Sequence, residues 1–112
     1  MKSLINLILL LFAFISYSQT FTLVEINAKW NQSNKVDLPK IENVKTIYTY
    51  LEDQGPELQS RIKAVPVIIL YKDNTPVKQW TANLSFKLNL TKEEIEYAIR
   101  ENKQTYQRAG SN

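Results

Sequence analysis

The sequence predicts an α/β fold in which a small mixed β-sheet is covered by helices on both faces. Short apolar or alternating segments, which are typical of strands, are separated along the chain by segments with helix-start signals. The last two strand segments are joined by a run of turn-forming residues, Lys72 to Thr75. The predicted element order is therefore β-α-β-α-β-β-α, which favours layers of helices around one sheet.

The residues before the first strand are typical of a secretory signal peptide. Met1 to Gln19 has a basic start at Lys2, an apolar segment from Leu4 to Ile15, and small residues at the cleavage positions, Ser16 and Ser18. The apolar segment is shorter than the roughly 18 residues that a bilayer-spanning helix requires. We therefore expect cleavage, export to a periplasm or to the medium, and no membrane attachment afterwards. An uncleaved anchor helix is the alternative.

The rest of the chain has the size of one domain, predicted at residues 20–103 and followed by a flexible tail at residues 104–112. Without Lys2, 13 basic and 11 acidic residues remain, so the net charge is +2. The lysines are scattered singly, and a nucleic-acid partner is not expected. The chain has no cysteine and no histidine. This excludes disulfides, a thiol nucleophile and an imidazole base, and we predict neither a metal site nor a cofactor.

The first predicted strand and helix lie between residues 21 and 43. Phe21 to Asn27 is rich in apolar residues and indicates a strand buried on both faces, although it contains Glu25. Ser33 or Asn34 is expected to cap a helix that runs to about residue 43 and bends at Pro39.

The later elements follow from turn, capping and alternation signals. They are predicted in this order: a strand at Lys45–Leu51, a short helix at Pro56–Ala64, a strand at Val65–Tyr71, a strand at Pro76–Asn83, and a last helix begun by a capping box of Thr91 and Glu94. Strands separated by helices are expected to be parallel, and the last two strands are expected to form an antiparallel hairpin.

Three local matches, in the same order along the chain, resemble the thioredoxin family. Val24 to Lys35, "VEINAKWNQSNK", is similar to the family's active-site run V-D-F-W-A-E-W-C-G-P-C-K. Pro39 follows Asn34 by the spacing that separates the family's helix-kinking proline from its second cysteine. Ile62 to Pro66, "IKAVP", is similar to the family's I-R-G-I-P, in which the proline is cis and opens the central strand. The resemblance covers about Phe21 to Lys103 and implies a thioredoxin-like fold.

The departures from the family pattern concern its chemistry. Both cysteine positions hold asparagine, Asn31 and Asn34. Disulfide exchange requires one thiol that attacks and a second that resolves, so a redox-inactive protein that is not an enzyme is expected. The buried acid of the family is retained as Glu25, but the lysine that pairs with it in the family corresponds to Thr49. The first helix and its following loop are also shorter than in the family.

The candidate binding site is the degenerate active-site loop and the segment around the matching proline. Its residues are Trp30, Asn31, Gln32, Ser33, Asn34, Val65 and Pro66. Trp30 is expected either to contact an extended peptide or to pack half-buried on its own loop. The four polar residues after it are expected either to bind a peptide or to cap the helix. The backbone at Val65 is expected to be open to a partner strand if Pro66 is cis.

The function expected from these observations is the binding of a protein or an extended peptide by an exported, redox-inactive thioredoxin-like domain. One alternative is a structural or accessory subunit of a secreted or periplasmic assembly. Another is a non-thiol enzyme of the glutathione type, in which Ser33 or Glu25 has taken over the chemistry. Glu25 itself is expected either to have a raised pKa or to reach solvent or a lysine at the end of its strand.

Overall fold

The computed structural model of the chain describes residues 19–111, with side chains described as far as residue 103. The predicted signal peptide, apart from Gln19, lies outside the described residues. The elements are β1 (Phe21–Asn27), a 3₁₀ segment (Lys29–Asn34), β2 (Val44–Tyr50), a 3₁₀ turn (Leu51–Asp53), α1 (Pro56–Arg61), β3 (Val67–Lys72), β4 (Thr75–Thr81) and α2 (Lys92–Ser111).

The strands form one four-stranded sheet in the order β2-β1-β3-β4. β1 is parallel to β2 and antiparallel to β3, and β3 is antiparallel to β4. The sequence therefore predicted the mixed sheet and its final hairpin correctly, but the expectation that β3 is parallel to β1 and β2 was wrong. The six residues of α1 extend about 9 Å, whereas a seven-residue strand is about 23 Å long. The end of β2 and the start of β3 both pair with the end of β1, at Asn27 and Ile26, so the chain enters β3 at the end where β2 finishes.

The larger part of the core lies on the face of the sheet that α2 covers. Phe21 and Leu23 of β1 and Ile68 and Leu70 of β3 alternate onto this face, as the period of two requires. They pack with the buried face of α2, which consists of Ile95, Ala98 and Ile99. The spacing of three and four residues along α2 places these side chains on one stripe.

The opposite face of the sheet has a smaller core beneath α1. Ile26, Val67 and Ile69 are buried there, and they pack against Leu58 in α1 and Ile62 just after it. Helices therefore lie on both faces, as predicted, but α1 is short and covers only part of its face.

The predicted helix that starts at Ser33 or Asn34 and bends at Pro39 is absent. Residues 35–43 have no regular secondary structure apart from a turn at residues 42–43. Val36 and Leu38 are buried in the larger core, while Asp37 between them is exposed. This alternation is that of an extended chain, not of a helix. The Glu25 carboxylate accepts the N–H of Val36, so this backbone group does not need a helical partner.

The helix α2 begins as the sequence predicted. The Thr91 N–H donates to Glu94 Oε2 at 3.0 Å, and the Glu94 N–H donates to Thr91 Oγ1 at 3.2 Å, which is the reciprocal capping box. The helical backbone continues to Ser111, so the segment predicted as a flexible tail from residue 104 is part of α2. Among residues 19–111, no helix has both the length and the apolar character needed to cross a bilayer.

The extended segment before β2 can be tested by comparing two neighbouring substitutions. Leu38→Ala is expected to lower the free energy of unfolding by about 2–5 kcal/mol, because it leaves a cavity in the larger core. Asp37→Ala removes an exposed side chain and is expected to change that free energy by less than about 0.5 kcal/mol. Urea unfolding followed by circular dichroism measures both. Equal effects of the two substitutions would contradict the alternating burial of this segment.

Candidate functional site

The 3₁₀ segment Lys29–Asn34 follows the carboxyl end of β1 and contains the degenerate active-site loop. The Val65–Pro66 peptide bond, which precedes β3, is cis, as the resemblance implied. The side chain of Asn31 lies near this bond, with Nδ2 at 3.4 Å from the Val65 carbonyl oxygen. The structure therefore brings together the loop and the proline segment, which are distant in sequence.

Asn31 is 3% exposed and its side chain is used entirely inside the protein. Its Nδ2 donates to Asn27 Oδ1 at 3.0 Å and to the Phe86 carbonyl at 3.1 Å, besides its longer contact with Val65. Its Oδ1 accepts a hydrogen bond from Asn34 Nδ2 at 2.8 Å. An amide has two N–H donors and one carbonyl oxygen, so both donors are occupied and the oxygen accepts one bond. Asn31 is thus a structural residue whose side chain faces the interior of the protein.

Asn27, which the sequence analysis did not single out, is the second member of this buried amide network. Its Oδ1 also accepts the Ala28 N–H at 2.9 Å, and its Nδ2 donates to the Asn31 carbonyl at 3.1 Å. A buried side-chain amide needs such partners, since an unpaired one would cost free energy. The signal in the sequence was a polar residue at the end of an apolar strand.

The remaining polar residues of the loop are more accessible. Gln32 and Ser33 are exposed, and Asn34 is half-buried. The 3₁₀ segment has no side-chain cap, so the predicted capping role of Ser33 or Asn34 is not found. Ser33 is not among the residues that line the cavity at Glu25, so the structure does not bring this hydroxyl and the buried acid together.

Trp30 is 66% exposed and contacts an aromatic residue from a distant loop. Its ring lies edge-on to the ring of Phe86, with 5.0 Å between centroids and 89° between planes. Phe86 is 39% exposed, and Leu84 in the same loop is 97% exposed. We call Trp30, Leu84 and Phe86 the apolar rim. Trp30 is therefore not half-buried on its own loop, and the sequence analysis missed both of the other rim residues.

The loop that carries Phe86 is held in a defined conformation. Phe86 has φ of 61°, in the left-handed region that a residue with a large side chain rarely adopts. Its N–H donates to the Asn83 carbonyl at 3.1 Å, and its own carbonyl accepts the Asn31 amide. The amide network thus fixes the backbone on which the Phe86 ring is displayed.

Glu25 is 2% exposed and lines a cavity of about 320 Å³. We call this the Glu25 cavity; its lining residues are Glu25, Asn27, Gln32, Lys35, Tyr48, Thr49 and Tyr50. The Oε2 atom of Glu25 accepts the Val36 N–H at 2.7 Å. Burial raises the pKa of the Glu25 carboxyl above 4.5, while the Val36 N–H and the charge of Lys35 act in the opposite direction.

Of the two expectations for Glu25, the raised pKa agrees with its burial, and the charge of Lys35 also acts on the carboxyl from the lining of the same cavity. The register of the parallel pair places Tyr48, not Thr49, opposite Glu25 in β2. Thr49 lies one residue further along β2 and accepts a hydrogen bond from Gln54 Nε2 at 2.7 Å.

Within residues 19–103, no group of three or more Asp or Glu side chains is arranged to hold a metal ion. Comparison of the chain with models of known protein families gives no match, and comparison with curated proteins gives none either. The thioredoxin-like assignment therefore stays a prediction that rests on the sequence matches and the topology.

The role of Asn31 can be tested against its neighbour Gln32. Asn31→Ala is expected to lower the free energy of unfolding by about 1–3 kcal/mol, because it leaves buried carbonyl groups without their donor. Gln32→Ala, at an exposed position of the same loop, is expected to change it by less than about 0.5 kcal/mol. Urea unfolding of both variants measures the difference. If both substitutions lowered the free energy of unfolding by a similarly small amount, the amide network would contribute little to stability.

The raised pKa of Glu25 predicts a pH dependence of stability, with Glu25→Gln as the reference that does not titrate. The Glu25 carboxyl holds its proton more tightly in the folded state, so its protonation stabilises the fold. This stabilisation is fully present at any pH below the pKa that Glu25 has in the unfolded chain. This effect is lost as the pH rises through the higher folded pKa.

Relative to Glu25→Gln, the parent protein is therefore expected to become less stable as the pH rises above 4.5, the ordinary pKa, and then to level off. Urea unfolding of both proteins across this pH range measures the difference. The raised pKa of Glu25 would be contradicted if the difference in free energy of unfolding between the two proteins did not vary with pH. It would also be contradicted if the parent became more stable relative to Glu25→Gln as the pH rises.

Proposed function

We propose that this chain is an exported, redox-inactive thioredoxin-like domain that binds a protein or an extended peptide through the apolar rim. The observation that carries the proposal is the exposure of Trp30, which contacts Phe86 edge-on above a buried amide network. Large exposed aromatic side chains on a rigid support are typical of binding surfaces. Leu84, almost fully exposed in the same loop, adds apolar area.

The thioredoxin-like part of the proposal is supported by topology together with the sequence matches. The order β2-β1-β3-β4 places the loop after β1 beside the segment that enters β3. That segment contains the cis Val65–Pro66 bond, at the position of the family's cis proline. The first and third matches agree with these two features, whereas the helix expected around Pro39, the second match, is absent.

The absence of redox chemistry follows from the residues at the two cysteine positions of the family. The side chains of Asn31 and Asn34 are hydrogen-bonded to each other at 2.8 Å. Neither amide can attack or resolve a disulfide. In this proposal, the side chains at the two cysteine positions of the family still lie next to each other, and their hydrogen bond stabilises the loop.

The apolar rim, and not the Val65 backbone, is the proposed contact surface. Val65 is 4% exposed and its carbonyl lies against the Asn31 amide, so a partner strand has no access to it. Trp30 and Phe86 supply apolar contact, and the exposed side chains of Gln32 and Ser33 lie in the same loop as Trp30. The expected partner is an extended segment with an apolar side chain at its centre and polar groups beside it.

Export rests on the sequence pattern of Met1 to Gln19. Cleavage would release the domain into a periplasm or the medium. The proposed partner is accordingly a protein or peptide of that compartment.

The proposed binding surface can be tested with peptides selected on the folded protein. A library of random peptides displayed on phage would be selected against the full chain as processed by the expression host. Selected peptides are expected to bind Trp30→Ala at least about tenfold more weakly, because a central aromatic contact is lost. Tyr97→Ala removes an exposed aromatic residue from α2 and serves as the matched control.

Nuclear magnetic resonance locates the binding surface independently of affinity. The chain has two tryptophans, and Trp80 is partly buried against the larger core. The indole N–H signal of Trp30 is expected to shift on peptide addition and that of Trp80 to stay in place. Peptides that bind the parent and Trp30→Ala equally, or that shift Trp80 alone, would refute the apolar rim as the binding surface.

A further inference from the structure

The Glu25 cavity has an acidic floor that the protein satisfies only in part. A carboxylate can accept about four hydrogen bonds, and among the described residues the Val36 N–H is the donor that reaches Glu25. No ion pair of Glu25 with a lysine or arginine is present in that part of the chain. A buried carboxylate without a directly paired cation is costly, and a suitable cation in the cavity would offset that cost.

Lys35 lines the cavity but does not pair with Glu25. Its ammonium nitrogen lies over the ring of Tyr48, at 4.0 Å from the centroid. Lys35 therefore contributes positive charge near the carboxyl while its own contact is with the aromatic wall.

The aromatic wall of the cavity is formed by Tyr48 and Tyr50. The register of β1 with β2 pairs Tyr48 with Glu25 and Tyr50 with Asn27, so both rings are on the face of the sheet that carries Glu25. Lys29 Nζ lies 5.9 Å from the centroid of the Tyr50 ring, so each tyrosine is already in contact with a cation. Rings placed in this way attract positive charge through their electron-rich faces.

We propose that the Glu25 cavity binds a guanidinium group, with the carboxylate of Glu25 as its anion and the tyrosine rings as its walls. A guanidinium is planar and weakly hydrated, donates to a carboxylate in a fork, and stacks on aromatic rings. The cavity volume of about 320 Å³ accommodates such a head group and a short aliphatic stem. The ammonium of Lys35 competes with this ligand for the ring of Tyr48 and repels it.

This site is separate from the apolar rim, because Trp30, Leu84 and Phe86 do not line the cavity. The guanidinium can belong to a free small molecule or to an arginine side chain of a peptide. Both sources present the same chemistry to Glu25, and titration with a small guanidine and with an arginine peptide tells them apart.

The test is a titration of the full chain, as processed by the expression host, with two probes. One probe is agmatine, and the other is a blocked glycine-arginine-glycine tripeptide. Binding is followed by the carbon signal of the Glu25 carboxyl and the ring signals of Tyr48 and Tyr50. Saturable shifts of these signals with at least one probe are expected, with a dissociation constant on the order of 1 mM or lower. Saturation by agmatine assigns the site to small guanidines, and saturation by the tripeptide alone assigns it to arginine side chains.

Two variants separate a specific site from weak attraction to the surface. Glu25→Gln keeps an oxygen that can accept the Val36 N–H but removes the charge, and is expected to weaken binding at least about tenfold. Lys35→Met keeps the aliphatic stem at an exposed position and is expected to tighten binding several-fold, because the competing charge is removed. Circular dichroism and urea unfolding verify that both variants are folded.

The proposal would be overturned by either of two results. The first is the lack of saturable shifts with both probes up to about 20 mM, for the parent and for Lys35→Met alike. The second is binding of equal strength by the parent and by a folded Glu25→Gln. Neither result bears on the apolar rim, which is tested with selected peptides and with Trp30→Ala.

Discussion

The buried amide of Asn31 holds together three segments that are distant in the sequence. It joins the end of β1 at Asn27, the segment before β3 at Val65, and the loop that carries Phe86. The partners at Asn27 and Val65 are buried and the one at Phe86 is partly buried, so the network is stabilising only while it is complete. The position and rigidity of the apolar rim depend on it, because the same amide fixes the backbone beneath the Phe86 ring.

Glu25 plays a comparable part on the other side of the loop. In the family that the sequence resembles, a helix follows the active-site motif, and its backbone groups are paired within the helix. Here the chain after the loop is extended, and Glu25 accepts the N–H of Val36 while the hydroxyl of Tyr48 accepts the N–H of Leu38 at 3.2 Å. Side chains from the sheet therefore replace the hydrogen bonds of a helix and let Val36 and Leu38 enter the core.

The degenerate loop separates two surfaces with different chemistry. Trp30 belongs to the exposed apolar rim, while Gln32 and Lys35 line the Glu25 cavity. A thiol pair at the positions of Asn31 and Asn34 would have needed access to a substrate. The amides instead bond to one another and to the backbone, so this part of the loop is an internal support. The exposed residues around it are the ones that we propose for recognition.

The sequence by itself determined the features that depend on neighbours along the chain. The apolar run of β3, the hairpin from β3 to β4, and the capping box of α2 follow from periodicity and local hydrogen bonding. The lack of cysteine is also a property of the sequence alone, and it excludes disulfide chemistry at the loop.

The tertiary structure decided what depends on contacts between distant residues. It set the antiparallel direction of β3, replaced the expected helix after the loop by an extended segment, and buried Asn31. The hydrogen bonds that hold the extended segment and the Asn31 side chain in place join residues that are 11, 34 and 55 positions apart. The N-cap preference of Ser33 and Asn34, from which the helix was predicted, is worth about 0.5–2 kcal/mol. Burial of Val36 and Leu38 and the pairing of buried polar groups outweigh it, and neither can be seen in the local sequence.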